Sequence, residues 1–120
     1  MVTGSAVTWC YVSDMEASLR FYRDVLRLTP GHVSAHWSDL SAGTLRIGLH
    51  PGLGEPPVGG WRLGLTCDDL RGLRNAAEVA GVRVVESFHQ TPGGVVLTLA
   101  DPDGNLVQVV QPGSTIAELA

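Results

Sequence analysis

The chain repeats itself, and that constrains its fold more than any single motif does. Aligning Val12-Ser13-Asp14-Met15 with Cys67-Asp68-Asp69-Leu70 superposes two halves at an offset of 55 residues. The first half opens with the strand pattern AVTWCYV (6–12) and continues into SDMEASLRFYRDVLRL. Ser13 and Glu16 are spaced as a capping box, and Asp14 adds negative charge to the first turn. Met15, Leu19, Tyr22 and Leu26 recur at helical spacing, so the pattern predicts an amphipathic helix over 14–27, closed by Pro30 and Gly31. The second half opens with GWRLGLTC (60–67). Asp68 or Asp69 can cap its helix, Leu70, Leu73, Ala77 and Ala80 form the apolar stripe, and Gly81 stops it.

Strands follow each helix. The first set is predicted at 35–41 and 44–50 around a Ser41-Ala42-Gly43 turn, with the stretch near 31–34 left open. The second set is 82–88, 94–100 and 105–111, the last two joined by Asp101-Pro102-Asp103-Gly104, a type I turn sequence. The proline- and glycine-rich PGLGEPPVGG (51–60) reads as a linker. The expected architecture is α+β: two βαβββ modules, about 5–50 and 61–112, forming a curved mixed sheet around a pocket with helices on its outer face. One domain is expected to span residues 1–120.

Alternation sorts the side chains by face. Leu45, Ile47 and Leu49 face the helix, which leaves Arg46, Gly48 and His50 on the other side. Trp61, Leu63, Leu65 and Cys67 alternate with Arg62, Gly64 and Thr66, so Trp61 is assigned to the core. In 6–12 both faces are fairly apolar, with Val7, Trp9 and Tyr11 opposing Ala6, Thr8, Cys10 and Val12. Two open faces turned toward each other would make a partly apolar pocket for a small molecule.

Composition narrows the function. The hydrophobic share of 44% and charged share of 17% are globular values, and no apolar run is long enough to span a membrane. The N-terminal segment has no basic region leading into an apolar one, so a cytoplasmic protein is expected. Twelve acids against eight bases, all arginine, give a net charge of −4 without a basic stripe, which argues against nucleic-acid binding. That charge suits a cationic ligand and is equally an ordinary solubility charge. Cys10 and Cys67 lie in apolar strands with no zinc spacing and read as buried thiols.

The run YVSDMEASLRFYRDVLRL, the later GLTCDDLRGL and the terminal DPDGNLVQVVQP resemble the vicinal oxygen chelate superfamily, the glyoxalase, bleomycin-resistance and extradiol dioxygenase group. The resemblance covers essentially the whole chain, and VxDxxxSxxFYxxxL with a late DPDGN is specific for the fold rather than for a chemistry. In metal-dependent members it implies His, Gln or Glu ligands from equivalent strands, holding a divalent ion that polarises vicinal oxygens. Carried over by position, these ligands fall on Val7, on Arg62, on Gln108 and at or beside Gly48. Valine and glycine offer no donor side chain and arginine is a permanent cation, so only Gln108 keeps a donor. No metal and no cofactor are therefore expected. The donors for a displaced site would be His32, His36, His50, His89 and Glu86.

The remaining pocket candidates are Arg62, Gln108, Trp9, Tyr11, His50, Arg46 and Trp37, with Val7 beside them. Arg62 can hold a carboxylate, enolate or phenolate oxygen bidentately, or form an internal ion pair with an acid such as Glu86. Gln108 can contact a ligand or partner Arg62. Trp9, Tyr11 and Trp37 can stack on a planar ligand or pack into the core. Arg46 and His50 are a cationic and proton-handling pair, or simply exposed. Three functions follow. The first is a metal-independent protein that binds an aromatic or peptide-derived small molecule, for resistance or sequestration. The second is a metal-free isomerase, cyclase or lyase, with Arg62 stabilising an oxyanion and His50 or Tyr11 moving protons. The third is a metalloenzyme with displaced ligands. Whether the protein is an enzyme stays open, no catalytic residue is assigned, and a homodimer is expected by analogy with the family.

Overall fold

The two capped helices and the alternating strands assemble as two similar units, seen in a computed structural model that describes residues 7–52, 60 and 62–120, with Arg62 by its backbone alone. Trp61 and most of the 51–60 linker lie outside the described residues, as does Ala6 at the start of the first strand pattern.

In the first unit the order is β1 (Thr8–Tyr11), α1 (Met15–Leu19) with a π-helical continuation (Arg20–Val25), β2 (Thr29–Val33), β3 (Ser38–Ala42) and β4 (Leu45–His50). The sheet runs β1-β4-β3-β2, with β1 parallel to β4 and the other pairs antiparallel. The second unit repeats this as β5 (Arg62–Thr66), α2 (Leu70–Val79), β6 (Arg83–Thr91), β7 (Gly94–Ala100) and β8 (Leu106–Pro112), in sheet order β5-β8-β7-β6. A short α3 (Ile116–Leu119) ends the chain, held by Arg71, whose guanidinium donates to the Glu118 and Leu119 carbonyls. The fold class is α+β with two βαβββ units, as the repeat predicts.

Local chemistry explains the boundaries and three departures. The N-cap of α1 is Asp14 rather than Ser13, and its carboxylate accepts from the Ala17 N–H at 3.1 Å. In α2 the choice falls on Asp69, which accepts from Gly72 N–H at 3.0 Å. The first helix is not α-helical throughout: after Leu19 it widens, and Leu26 N–H bonds Phe21 O five residues back. Neighbouring Phe21 and Tyr22 in this wider turn are both buried, with their rings edge to face at 4.8 Å. Pro30 and Gly31 do not close the helical unit but sit inside β2. That strand lies at the edge of its sheet and shifts register between Pro30 and Val33, where a proline is tolerated.

Each core is the helix-facing side of its sheet. Cys10, Leu40, Ile47 and Leu49 are buried with Leu19, Phe21 and Tyr22 in one unit, and Leu63, Leu97, Leu99, Val107 and Val109 with Leu70 and Ala77 in the other. The DPDG turn is a buried polar hub. Asp101 Oδ1 accepts from the Asp103 and Asn105 N–H groups at 2.9 and 2.8 Å, and Oδ2 from Asn105 Nδ2 at 2.8 Å. The Gly104 N–H closes the turn on Asp101 O at 3.0 Å with Gly104 at φ 85°, a conformation glycine adopts without strain. Asp101→Ala leaves these buried donors without their acceptor. It is expected to cost about 2 kcal/mol and lower Tm by about 8 °C in a thermal melt.

Candidate functional site

The register of the first sheet decides which side chains share its open face. Trp9 lies opposite Gly48 and Tyr11 opposite His50, while Gly48 lies opposite Asp39 on its other side. Alternation therefore puts Trp9, Tyr11, Gly48, His50 and Asp39 on the face away from α1; the sequence assigns Gly48 and His50 there and leaves Trp9 and Tyr11 open between ligand and core. The rings form a connected wall. Trp9 and Tyr11 meet edge to face at 5.1 Å, Tyr11 and His50 at 5.4 Å, Trp9 and His50 at 5.8 Å, and Trp37 reaches His50 at 6.5 Å. Trp9 is 48% exposed and Tyr11 43%, so neither is a core residue. Val7 is half-buried just before β1 and adds no polar group.

Trp37 arrives through a tight turn. The Ser34 hydroxyl accepts from the Trp37 N–H at 3.2 Å and donates to its carbonyl at 3.0 Å. At the end of β4, His50 Nδ1 accepts from Gly52 N–H at 3.0 Å, so the neutral imidazole carries its proton on Nε2 and presents a donor there rather than a base.

Asp39 is the residue that sequence reasoning missed. The residue is 3% exposed, and its carboxylate accepts from Trp37 Nε1 at 2.9 Å, from an Arg46 guanidinium nitrogen at 2.8 Å and from the His32 N–H at 3.3 Å. Arg46 is thus neither a partner of His50 nor simply a free surface cation: half-exposed, it compensates a buried anion. The available signal is the spacing of Trp37 and Asp39, two residues apart in an extended segment, with β3 itself starting at Ser38. The Arg46 hydrogen bond, opposed by burial and helped by Trp37 and the His32 N–H, holds the Asp39 carboxyl below the usual carboxylate range.

The second unit's open face carries Gln108, which lies between Gly64 and Thr98 in register. It lines a hollow of about 220 Å³ with Glu86, His89, Val96, Thr98 and Val110. Glu86 pairs with His89, Oε1 to Nδ1 at 3.2 Å. The Arg62 backbone pairs with Leu106 at the start of β5, and its side chain lies outside the described residues. Burial pushes the Cys67 thiol up, which keeps it protonated at neutral pH, and Cys10 is buried; neither is an activated nucleophile.

Among the described residues no three His, Cys, Asp or Glu side chains gather as a donor set, and the nearest approach to one is Glu86, His89 and the Gln108 amide around the same hollow. At Gly48 the space a ligand side chain would need is filled by the Trp37 ring.

The model of the Glyoxalase/Bleomycin resistance protein/Dioxygenase superfamily matches residues 6–109. The chain belongs to that superfamily. Among solved structures it is similar to TnmS3, an antibiotic binding protein from Streptomyces sp. CB03234, at 25% identity over 94% of this chain and 100% of that one, with a TM-score of 0.72. It is also similar to a bleomycin resistance determinant encoded on the transposon Tn5, at 27% identity over 92% and 99% of the two chains, TM-score 0.65. Lactoylglutathione lyase from Agrobacterium tumefaciens shares the fold at 23% identity over 90% and 94%, TM-score 0.70. No curated protein matches. Among the described residues no helix is long and apolar enough to cross a membrane.

Asp39 gives a pH signature. Its folded pKa lies below the unfolded value of about 3.9, so its contribution is complete above that pH and is lost as pH falls through the lower folded value. Thermal melts from about pH 6 to about pH 2 are expected to show Asp39→Asn less stable than wild type at the upper end. The gap should narrow below about pH 4, and a gap constant with pH would contradict the assignment.

Proposed function

We propose that this protein binds a planar aromatic or peptide-derived small molecule, without a metal, and serves resistance or sequestration. The observation that carries this reading is the half-exposed aromatic wall of Trp9, Tyr11 and His50, extended by Trp37, on the open face of the first sheet. Exposed indole and phenol rings cost free energy in water unless something covers them, and a flat conjugated ligand covers them by stacking. In the second unit, the hollow beside Gln108 and Thr98 offers hydrogen-bonding groups of its own, and Arg62 is retained as an anchor for an anionic oxygen. The antibiotic-binding and bleomycin-resistance relatives support the same class of activity.

A metal-free isomerase, cyclase or lyase gains less support, because His50 Nδ1 is occupied by the Gly52 N–H. The reading includes a cytoplasmic homodimer of single-domain chains, for which sedimentation should give twice the 12.7 kDa of one chain.

Titrating the protein with 2-naphthol while following tryptophan fluorescence tests the binding. Saturable quenching is expected, and Trp9→Ala should weaken affinity about tenfold while leaving the melt unchanged. Equal affinity in the variant would remove Trp9 from the site.

A further inference from the structure

Two glycines of the first unit occupy positions where a side chain does not fit. A Cβ on Gly48 would collide with the outer edge of the Trp37 six-membered ring, and a Cβ on Gly31 would collide with Asp39 Oδ1. Neither glycine has a positive φ, so backbone conformation does not account for them. What they share is a neighbour: one makes room for the indole, the other for the carboxylate that holds it.

The indole is fixed at both ends. Its Nε1–H donates to Asp39 Oδ2 at 2.9 Å, its far edge rests in the seat above Gly48, and its backbone is pinned by the Ser34 hydroxyl. The carboxylate is fixed too, by the Arg46 guanidinium and the His32 N–H. A buried carboxylate is tolerated only when it is paired and hydrogen-bonded, and this one is both. An indole held in this way has lost its rotamer freedom before any ligand arrives, which lowers the ordering cost of binding.

We propose that Asp39 is a positioning residue that locks Trp37 into the Gly48 seat, so that the aromatic wall selects flat ligands over puckered ones of the same size. The inference rests on the binding function proposed above. A rigid wall cannot yield to a puckered ring, whereas an indole free to leave its seat can. Asp39 touches no ligand in this account; it acts through Trp37.

The test compares 2-naphthol with trans-decahydro-2-naphthol, which share a carbon skeleton and differ in flatness, by titration calorimetry. Wild type is expected to favour the flat probe about fivefold, Asp39→Ala to reduce that preference to about twofold or less, and Asp39→Asn, which keeps an acceptor oxygen for the indole, to restore part of it. In parallel, the Trp37 indole N–H should exchange with solvent faster in Asp39→Ala than in wild type. If wild type binds 2-naphthol but shows no preference, or if folded Asp39→Ala keeps it, the positioning role is overturned while the binding function stands. If wild type binds neither probe, the binding function itself fails. Should Asp39→Ala not fold, Gly48→Ala pushes the indole from its seat with the carboxylate intact, and its preference is read in the same way.

Discussion

The parallel pairing of β1 with β4 is the constraint from which the first unit's chemistry follows. With Trp9 opposite Gly48 and Tyr11 opposite His50, every second residue of both strands faces away from the helix. A slip of one residue would drive both aromatic side chains into the core and expose Cys10 and Val12. The core resists that slip, because Ile47, Leu49, Leu40 and Val12 are all buried on the helix side. Hydrophobic burial on one face thus fixes the functional groups on the other, although the functional groups contribute little to the burial.

Both units solve the problem of a buried carboxylate in the same physical way, with different consequences. Asp101 accepts from local backbone and from the Asn105 amide, which holds its turn. Asp39 also accepts from two side chains, the Trp37 indole just before β3 and the Arg46 guanidinium of β4. Each carboxylate bonds both backbone and side chain, and what separates them is that Asp39 orders an indole of the aromatic wall.

The parts of this structure legible in the sequence are those governed by short-range periodicity. The repeat predicts both βαβββ units, alternation places Arg46, Gly48 and His50 opposite Ile47 and Leu49, and the DPDG turn forms with its glycine in the left-handed region. The parts that escaped depend on who meets whom across the sheet. Asp39 matters because β3 pairs with β4 in one register, and nothing local in Trp37-Ser38-Asp39 reveals that register. Pro30 and Gly31 read as a terminator because proline usually ends an element, yet an edge strand tolerates it. The π-helical turn has no sequence signal beyond the adjacent Phe21 and Tyr22, whose joint burial is a tertiary fact. For Arg62 only the backbone register is described, so its assignment as an anchor still rests on the sequence.

The seat above Gly48 links the family's fold to the function proposed for this chain. The resemblance puts a metal-ligand position at or beside residue 48, and a ligand there would need a side chain reaching from the sheet. In this chain the side chain is missing and the indole of Trp37 occupies its volume, so the two arrangements exclude each other sterically. Restoring a donor at position 48 would therefore demand the removal of Trp37, and with it the hydrogen bond that satisfies Asp39 Oδ2. The surface cannot drift between the two by single substitutions without passing through a clash or a weakened buried carboxylate. At this position the glycine and the tryptophan together put a ring edge where a side chain reaching from the sheet would otherwise stand.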